Sequence, residues 1–171
     1  EIEQQYGVKK TDVLAVWGME SNYGQSLGQK NILTSLSTLS CFGRRQQFFR
    51  KEFSSALLII QNGDLDASDM MGSWAGAFGQ TQFMPSTYLH LAQDFDDDGK
   101  KDLVNSRPDA LASTANFLKN SGYRSHQTWG YEVKLPLNFN AKSDRRNKKD
   151  LNFWRDNGFK LTNGSPLADG I

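Results

Sequence analysis

Residues 17–24 read W-G-M-E-S-N-Y-G, which puts a carboxylate, Glu20, between a tryptophan and a run of turn-forming residues. Val13, Val16, Trp17 and Glu20 recur at i, i+3, i+4 and i+7, so they share one helix face. On that pattern Glu20 is expected to join the stripe that packs inward. Desolvation there, and the negative end of the helix dipole, would both favour its neutral form. A carboxyl group kept protonated can give its proton to a leaving group. The plainer alternative is a Glu20 that caps a neighbouring helix or pairs with Arg44 or Arg45.

A second chemical pattern is D-F-D-D-D-G-K-K-D at 94–102. Asp94, Asp96 and Asp98 fall at positions 1, 3 and 5 of an EF-hand loop, with Gly99 at the turn. Lys100 would offer its backbone carbonyl at 7, and Asp102 stands at 9. Four aspartates within five residues repel one another, and a bound cation relieves that repulsion. Position 12 is Asn105 rather than the bidentate glutamate. A solvated acidic loop is the competing reading.

The elements that must hold these residues are mostly helical. Thr11 is expected to cap a helix through Val13, Val16 and Trp17, which Gly24 stops. The G-Q-K-N stretch and the Ser/Thr-rich residues 34–40 read as a loop. Residues 44–61 form the clearest long helix, with Phe49, Phe53, Leu57 and Ile60 as its apolar stripe and Asn62-Gly63 as its end. A short helix is expected over 66–72, then a Gly-rich segment at 73–84. Pro85 suits the first turn of a helix over 86–93. Ser106 caps a helix over 107–121, with Pro108 in its first turn and Gly122 closing it. The last part changes character. Y-E-V-K-L-P-L at 131–137 alternates like an edge strand. The polar run at 142–150 reads as a solvated loop, a short helix spans Asp150–Asn157, and F-K-L-T forms a second strand. The expected fold is mainly α, a single domain over 1–171 with a small β excursion near its end.

Bulk properties exclude several classes. A chain of 171 residues, 37% hydrophobic and 23% charged, is long enough for a core of its own. A net charge of +1 gives no general pull toward nucleic acid or a membrane surface. No apolar run reaches the roughly 20 residues of a membrane span. The single cysteine, Cys41, cannot form an intrachain disulfide and reads as a small buried apolar residue. His90 and His126 lack metal-ligand spacing and read as structural or surface residues. With no initiator Met and no signal-peptide pattern, the chain reads as part of a longer protein.

E-S-N-Y-G at 20–24 is followed by S-W-A-G-A-F-G-Q-T-Q-F-M-P-S-T-Y at 73–88, by D-F-D-D-D-G-K-K-D-L-V-N-S-R-P-D-A at 94–110 and by A-N-F-L at 115–118. In this order and spacing they resemble the membrane-bound lytic murein transglycosylase B family, glycoside hydrolase family 103, over roughly residues 10–135. The resemblance implies a lysozyme-like helical fold that cuts the β-1,4 bond between N-acetylmuramic acid and N-acetylglucosamine without water. The product would be a 1,6-anhydro-muramyl end. Glu20 matches the family's glutamate, which protonates the glycosidic oxygen and then takes the proton of the muramyl C6 hydroxyl. Ser73 and Gln82 match positions implied to line the glycan cleft; Tyr23 would stack on a sugar, and Gly76 and Gly79 would let backbone approach the glycan closely. Their plainer readings are a cap, loop scaffolding, core packing and turn formation. In the family the closing metal carboxylate comes later than position 12, at the matching Asp109. This extends the loop to 94–109 and implies structural Ca²⁺ held by Asp94, Asp96, Asp98, Lys100, Asp102 and Asp109.

The resemblance further implies a bacterial periplasmic enzyme, monomeric, with peptidoglycan strands as partner, no nucleic acid, and any lipid anchor outside this stretch. Two features depart from the family pattern. Phe117 stands where a tyrosine is usual, and a Tyr-Asn pair found further along the family's catalytic domain has no match here. The competing functions are a muramidase that uses water on the same bond, and a calcium-dependent glycan-binding module without activity.

Overall fold

The computed structural model describes residues 1–128, 130–137, 139 and 148–167. Residues 142–147 of the polar run therefore lie outside the described part. The chain divides into two compact units, Glu1–Ser125 and His126–Ile171. The first contains α1 (Ile2–Tyr6), α2 (Lys10–Ser21), β1 (Lys30–Asn31), α3 (Ile32–Cys41), α4 (Gln46–Asn62), β2 (Met71–Gly72), α5 (Pro85–Leu91) and α6 (Arg107–Asn120). The second contains β3 (Val133–Lys134), α7 (Leu151–Asp156) and β4 (Lys160–Leu161). The mainly helical architecture expected from the sequence is the one observed.

Two apolar clusters organise the first unit. The larger joins Ile32 and Leu36 of α3, Ala56 and Ile59 of α4 and Tyr88 of α5 to Met70, Phe78, Phe83 and Leu103 from the segments between them. The smaller packs Tyr6, Val8 and Val13 against Ala112 and Ala115 of α6. A short antiparallel pairing, Lys30 with Gly72 and Asn31 with Met71, ties the start of α3 to the Gly-rich segment. The approach there needs glycine: a Cβ on Gly28 would lie 2.2 Å from the Gly72 carbonyl oxygen.

Several elements differ from the expectation, each for a local reason. The Ser/Thr-rich stretch is helix α3, not loop. The Asn31 side chain accepts from the Thr34 N–H as its cap, and the hydroxyls of Ser37, Thr38 and Ser40 donate to carbonyls three or four residues back. Residues 66–72 are turn and strand rather than helix. α2 starts after Lys9 with no side-chain cap, so Thr11 lies inside it, and it stops at Asn22, which takes φ 49°, before Gly24 is reached. On α4 the buried positions are Glu52, Ser55, Ala56 and Ile59, while Leu57 is exposed. Cys41 is exposed, because α3 ends there. Phe49 and Phe53 of the expected stripe pack against the larger cluster, whereas Phe42, at the end of α3, is exposed.

α5 and α6 follow the sequence closely. Ser106 accepts from the Asp109 N–H, Pro108 lies in the first turn of α6, and Gly122 beyond its end takes φ 90°. In the second unit β3 pairs antiparallel with β4, Val133 opposite Leu161, although β3 is only two residues long. Asp150 caps α7 by accepting from the Phe153 N–H. Phe139, Trp154 and Phe159 meet edge to face, with Phe139 and Phe159 ring centres 4.6 Å apart.

Candidate active site and acidic loop

Glu20 lies in the last turn of α2, as its sequence suggests, but it does not face inward. Val13 is the buried residue of the stripe; Val16 and Trp17 are half-buried and Glu20 is exposed. The stripe runs out because α2 ends one residue later, at Ser21. Among the described residues the Glu20 carboxylate has no hydrogen bond and no ion pair, so neither the capping nor the arginine-pairing alternative holds. Arg44 and Arg45 are exposed at the start of α4, and the Arg45 guanidinium lies 4.1 Å from the centre of the Phe48 ring. Desolvation of Glu20 by the fold, expected from the spacing, is corrected by this exposure.

The turn after Glu20 is tightly built. Asn22, Tyr23 and Gly24 all have positive φ. Ser21, buried, accepts from the Gly24 N–H at 2.9 Å through its hydroxyl. Tyr23 meets the Trp17 ring edge-on at 5.4 Å and leaves 54% of its surface open, so it is no core residue.

The Gly-rich segment is stitched to this turn. Gln80, 5% exposed, accepts from the Trp17 indole N–H at 3.0 Å and donates from Nε2 to the Val104 carbonyl at 3.0 Å. Its backbone N–H donates to the Leu103 carbonyl. Gln82, in a strained φ of 52°, donates from its amide nitrogen to the carbonyls of Leu27 and Gly79. That amide nitrogen serves as scaffold. Ser73 caps its own turn, its hydroxyl accepting from the Ala77 N–H at 3.0 Å, and among the described residues no bond joins it to Glu20. The glycine requirement at 76 and 79 is met within the fold. A Cβ at Gly76 would come within 2.3 Å of Leu36 Cδ2, and one at Gly79 within 2.9 Å of the Leu103 carbonyl oxygen.

In the acidic loop, oxygens of Asp94, Asp96 and Asp109 lie within 4.8 Å of one another. Ca²⁺–oxygen bonds run about 2.3–2.6 Å, so oxygens across one ion stand about 5 Å apart, and the three carboxylates fit a shared cation. Asp98 and Asp102 are not in the group. Asp98 accepts from the Lys100 N–H, and Asp102 accepts from the N–H groups of Val104 and Asn105 and from the Asn105 amide. Asp109 is fully buried and accepts from the Phe95 and Asp102 N–H groups, both at 2.8 Å. Burial pushes its carboxyl above the usual carboxylate range, against the pull of those two donors. Tyr88 donates its hydroxyl to the Lys101 carbonyl; burial, with Asp64, Asp102 and Asp109 nearby, pushes its phenol far up.

Sequence reasoning passed over Gln80 and Glu52. Glu52, 2% exposed, accepts from the Ser86 N–H at 2.9 Å and from the Ser86 hydroxyl at 2.7 Å. It thereby caps α5, whose own cap residue, Met84, supplies no side-chain bond. The signal was present, since position 52 falls between Phe49 and Ala56 on the buried side of α4. Met84 packs against the core, and both histidines are exposed. Phe117 is 38% exposed, its ring 5.6 Å from that of Phe83.

This arrangement has close relatives. The family model described as "Transglycosylase SLT domain" matches residues 1–170. The chain is 38% identical over 121 residues, 70% of its length, to membrane-bound lytic murein transglycosylase B of Escherichia coli strain K12, of which the match covers 33%. SltB3 from Pseudomonas aeruginosa, solved in complex with NAG-NAM-pentapeptide, superposes with a TM-score of 0.89 at 48% identity, over 99% of this chain and 46% of that one. Escherichia coli Slt35 in complex with calcium superposes with a TM-score of 0.82 at 30% identity, over 99% of this chain and 53% of that one. The chain thus spans a third to a half of the length of these relatives. With a match along nearly its whole length and the same helical fold, it belongs to the transglycosylase SLT domain family.

Proposed function

We propose that this chain carries the catalytic centre of a lytic transglycosylase. It cleaves the bond between N-acetylmuramic acid and N-acetylglucosamine in peptidoglycan and leaves 1,6-anhydro-muramyl ends. One observation carries the reading: an exposed carboxylate, Glu20, which has no partner among the described residues, stands at the end of a helix whose final turn is pinned by partly buried hydrogen bonds. A group that must give up and recover a proton needs access to substrate and a fixed base beneath it. Glu20 would protonate the glycosidic oxygen as the bond to C1 breaks. The same carboxylate then takes the proton of the C6 hydroxyl as that oxygen closes on C1. Because the fold leaves Glu20 open, the bound glycan itself displaces water from it.

Tyr23 offers an open aromatic face to a sugar ring, and the carbonyl oxygen of the Gln82 side chain, which accepts no bond among the described residues, is available to sugar amide or hydroxyl groups. Ser73, Gly76 and Gly79 shape the wall of the same cleft through their turns. Asp94, Asp96 and Asp109 would hold a structural Ca²⁺, which neutralises their mutual repulsion, with Asp98, Lys100 and Asp102 framing the loop. Support comes from their convergence and from the relative solved with calcium. The reading takes residues 1–171 as a single catalytic domain of a monomeric periplasmic protein acting on the cell wall, with any anchor outside this stretch. Among the described residues no helix is long and apolar enough to cross a membrane.

Mass analysis of products from digested murein sacculi tests the proposal. Anhydro ends are expected. Reducing ends would replace it with a water-using muramidase, and binding without products with a glycan-binding module.

A further inference from the structure

Between the acidic loop and the last turn of α2 runs an unbroken series of hydrogen bonds. Asp109 accepts from the Asp102 N–H at 2.8 Å, and the Asp102 carboxylate accepts from the Val104 N–H at 2.9 Å. The Val104 carbonyl accepts from Gln80 Nε2, and Gln80 Oε1 accepts from the Trp17 indole. The orientation of the Gln80 amide is fixed by its partners, since an indole can only donate and a carbonyl can only accept. Trp17 and Glu20 are three residues apart on neighbouring turns of one face. The space beside Gly24 is also filled by Gln80, whose Oε1 lies 2.7 Å from where a Cβ would stand.

We propose that Gln80 is a positioning residue that couples the acidic loop to the Glu20 end of α2. The proposal rests on the reading of Glu20 as the proton donor. At 5% exposure Gln80 has almost no surface for a glycan; it acts by holding Trp17, and through it the last turn of the helix, against Val104. A cation on Asp94, Asp96 and Asp109 draws on the same Asp109 carboxylate that anchors Asp102, so loop occupancy reaches Trp17 along these bonds. The series is partly buried and includes the buried Gln80 and Asp109, and satisfied polar networks fix one arrangement because a break leaves a donor or acceptor unpaired.

The test compares the wild-type chain with Gln80→Met, which keeps the length of the side chain but neither bond, and with Trp17→Phe, which removes the bond from the other end. In the wild type, Ca²⁺ titration is expected to move the Trp17 indole N–H resonance, identified by its loss in Trp17→Phe. In Gln80→Met that resonance should no longer follow Ca²⁺. Both variants should lose about 10- to 100-fold in kcat on murein, with KM unchanged, as slight misplacement of a catalytic group costs. Wild-type kcat in either folded variant overturns the proposal. So does a Trp17 resonance that ignores Ca²⁺ in the wild type, or one that follows it equally in Gln80→Met. Should Gln80→Met not fold, Trp17→Phe carries the kinetic arm alone and the wild-type titration the spectroscopic one. A wild type that yields no cleavage product refutes the activity instead, while the resonance measurement still decides the coupling.

Discussion

Two glutamates of this chain should part ways on substitution. Glu52 is buried, with two charge-assisted bonds to Ser86; Glu20 is exposed and bonds to nothing among the described residues. Hydrogen bonds to a charged group contribute about 1.5–3 kcal/mol each, and two that share one carboxylate and one partner residue are not independent. Glu52→Ala should therefore cost about 3 kcal/mol, because the half-buried Ser86 N–H loses its acceptor at the first turn of α5. For a chain of this size that lowers Tm by about 6–12 °C. Glu52→Gln keeps an acceptor for the N–H and offers a donor to the hydroxyl, so its cost should stay near about 1 kcal/mol. Glu20→Gln should change stability by less than about 0.5 kcal/mol, as exposed substitutions do, yet lower turnover of sacculi by about 10²–10⁴-fold. Thermal unfolding followed by circular dichroism, paired with quantified muropeptide release, reads both quantities on the same samples. Two results would refute the reasoning. One is a Glu52→Ala variant that melts with the wild type; the other is a folded Glu20→Gln variant that still digests sacculi.

Calcium offers a second check. At a free concentration of about 100 Kd, Ca²⁺ should add about 2.7 kcal/mol, raising Tm by about 5–11 °C, and a chelator should reverse the rise. Asp96→Ala should abolish it at small cost, since Asp96 is exposed and its bond to Ser106 lies at the surface. Gly76→Ala combines a φ of 93° with a Cβ 2.3 Å from Leu36 Cδ2, and should cost about 2–4 kcal/mol, visible as a lowered urea midpoint.

What the sequence disclosed depended on how local the determinant was. The limits of α6 were legible because Ser106, Pro108 and Gly122 each act on their own backbone. The acidic loop was legible for the same reason, except that Asp98 and Asp102 turn to nearby N–H groups rather than into the cluster, a choice made by loop conformation. Helix α3 was missed because Ser and Thr suggest turns, whereas here their hydroxyls bond back to the helix and Ile32 and Leu36 supply the buried face. Spacing placed Glu20 on a face correctly but could not say where the neighbouring elements stop. Gln80 was invisible for a different reason: its value lies in Trp17 and Val104, residues 63 and 24 positions away, and no local pattern announces a bridge of that span.

The thiol of Cys41 at the end of α3 has a practical consequence. It is the sole sulfhydryl in 171 residues and it is open to solvent, so a maleimide reagent will mark the chain at one defined point. A nitroxide placed there would report distances to the amides of α2 by the broadening it causes, with no engineered cysteine required. The same openness makes the purified chain prone to pair through that sulfur in air, and samples kept without reductant will accumulate linked dimers.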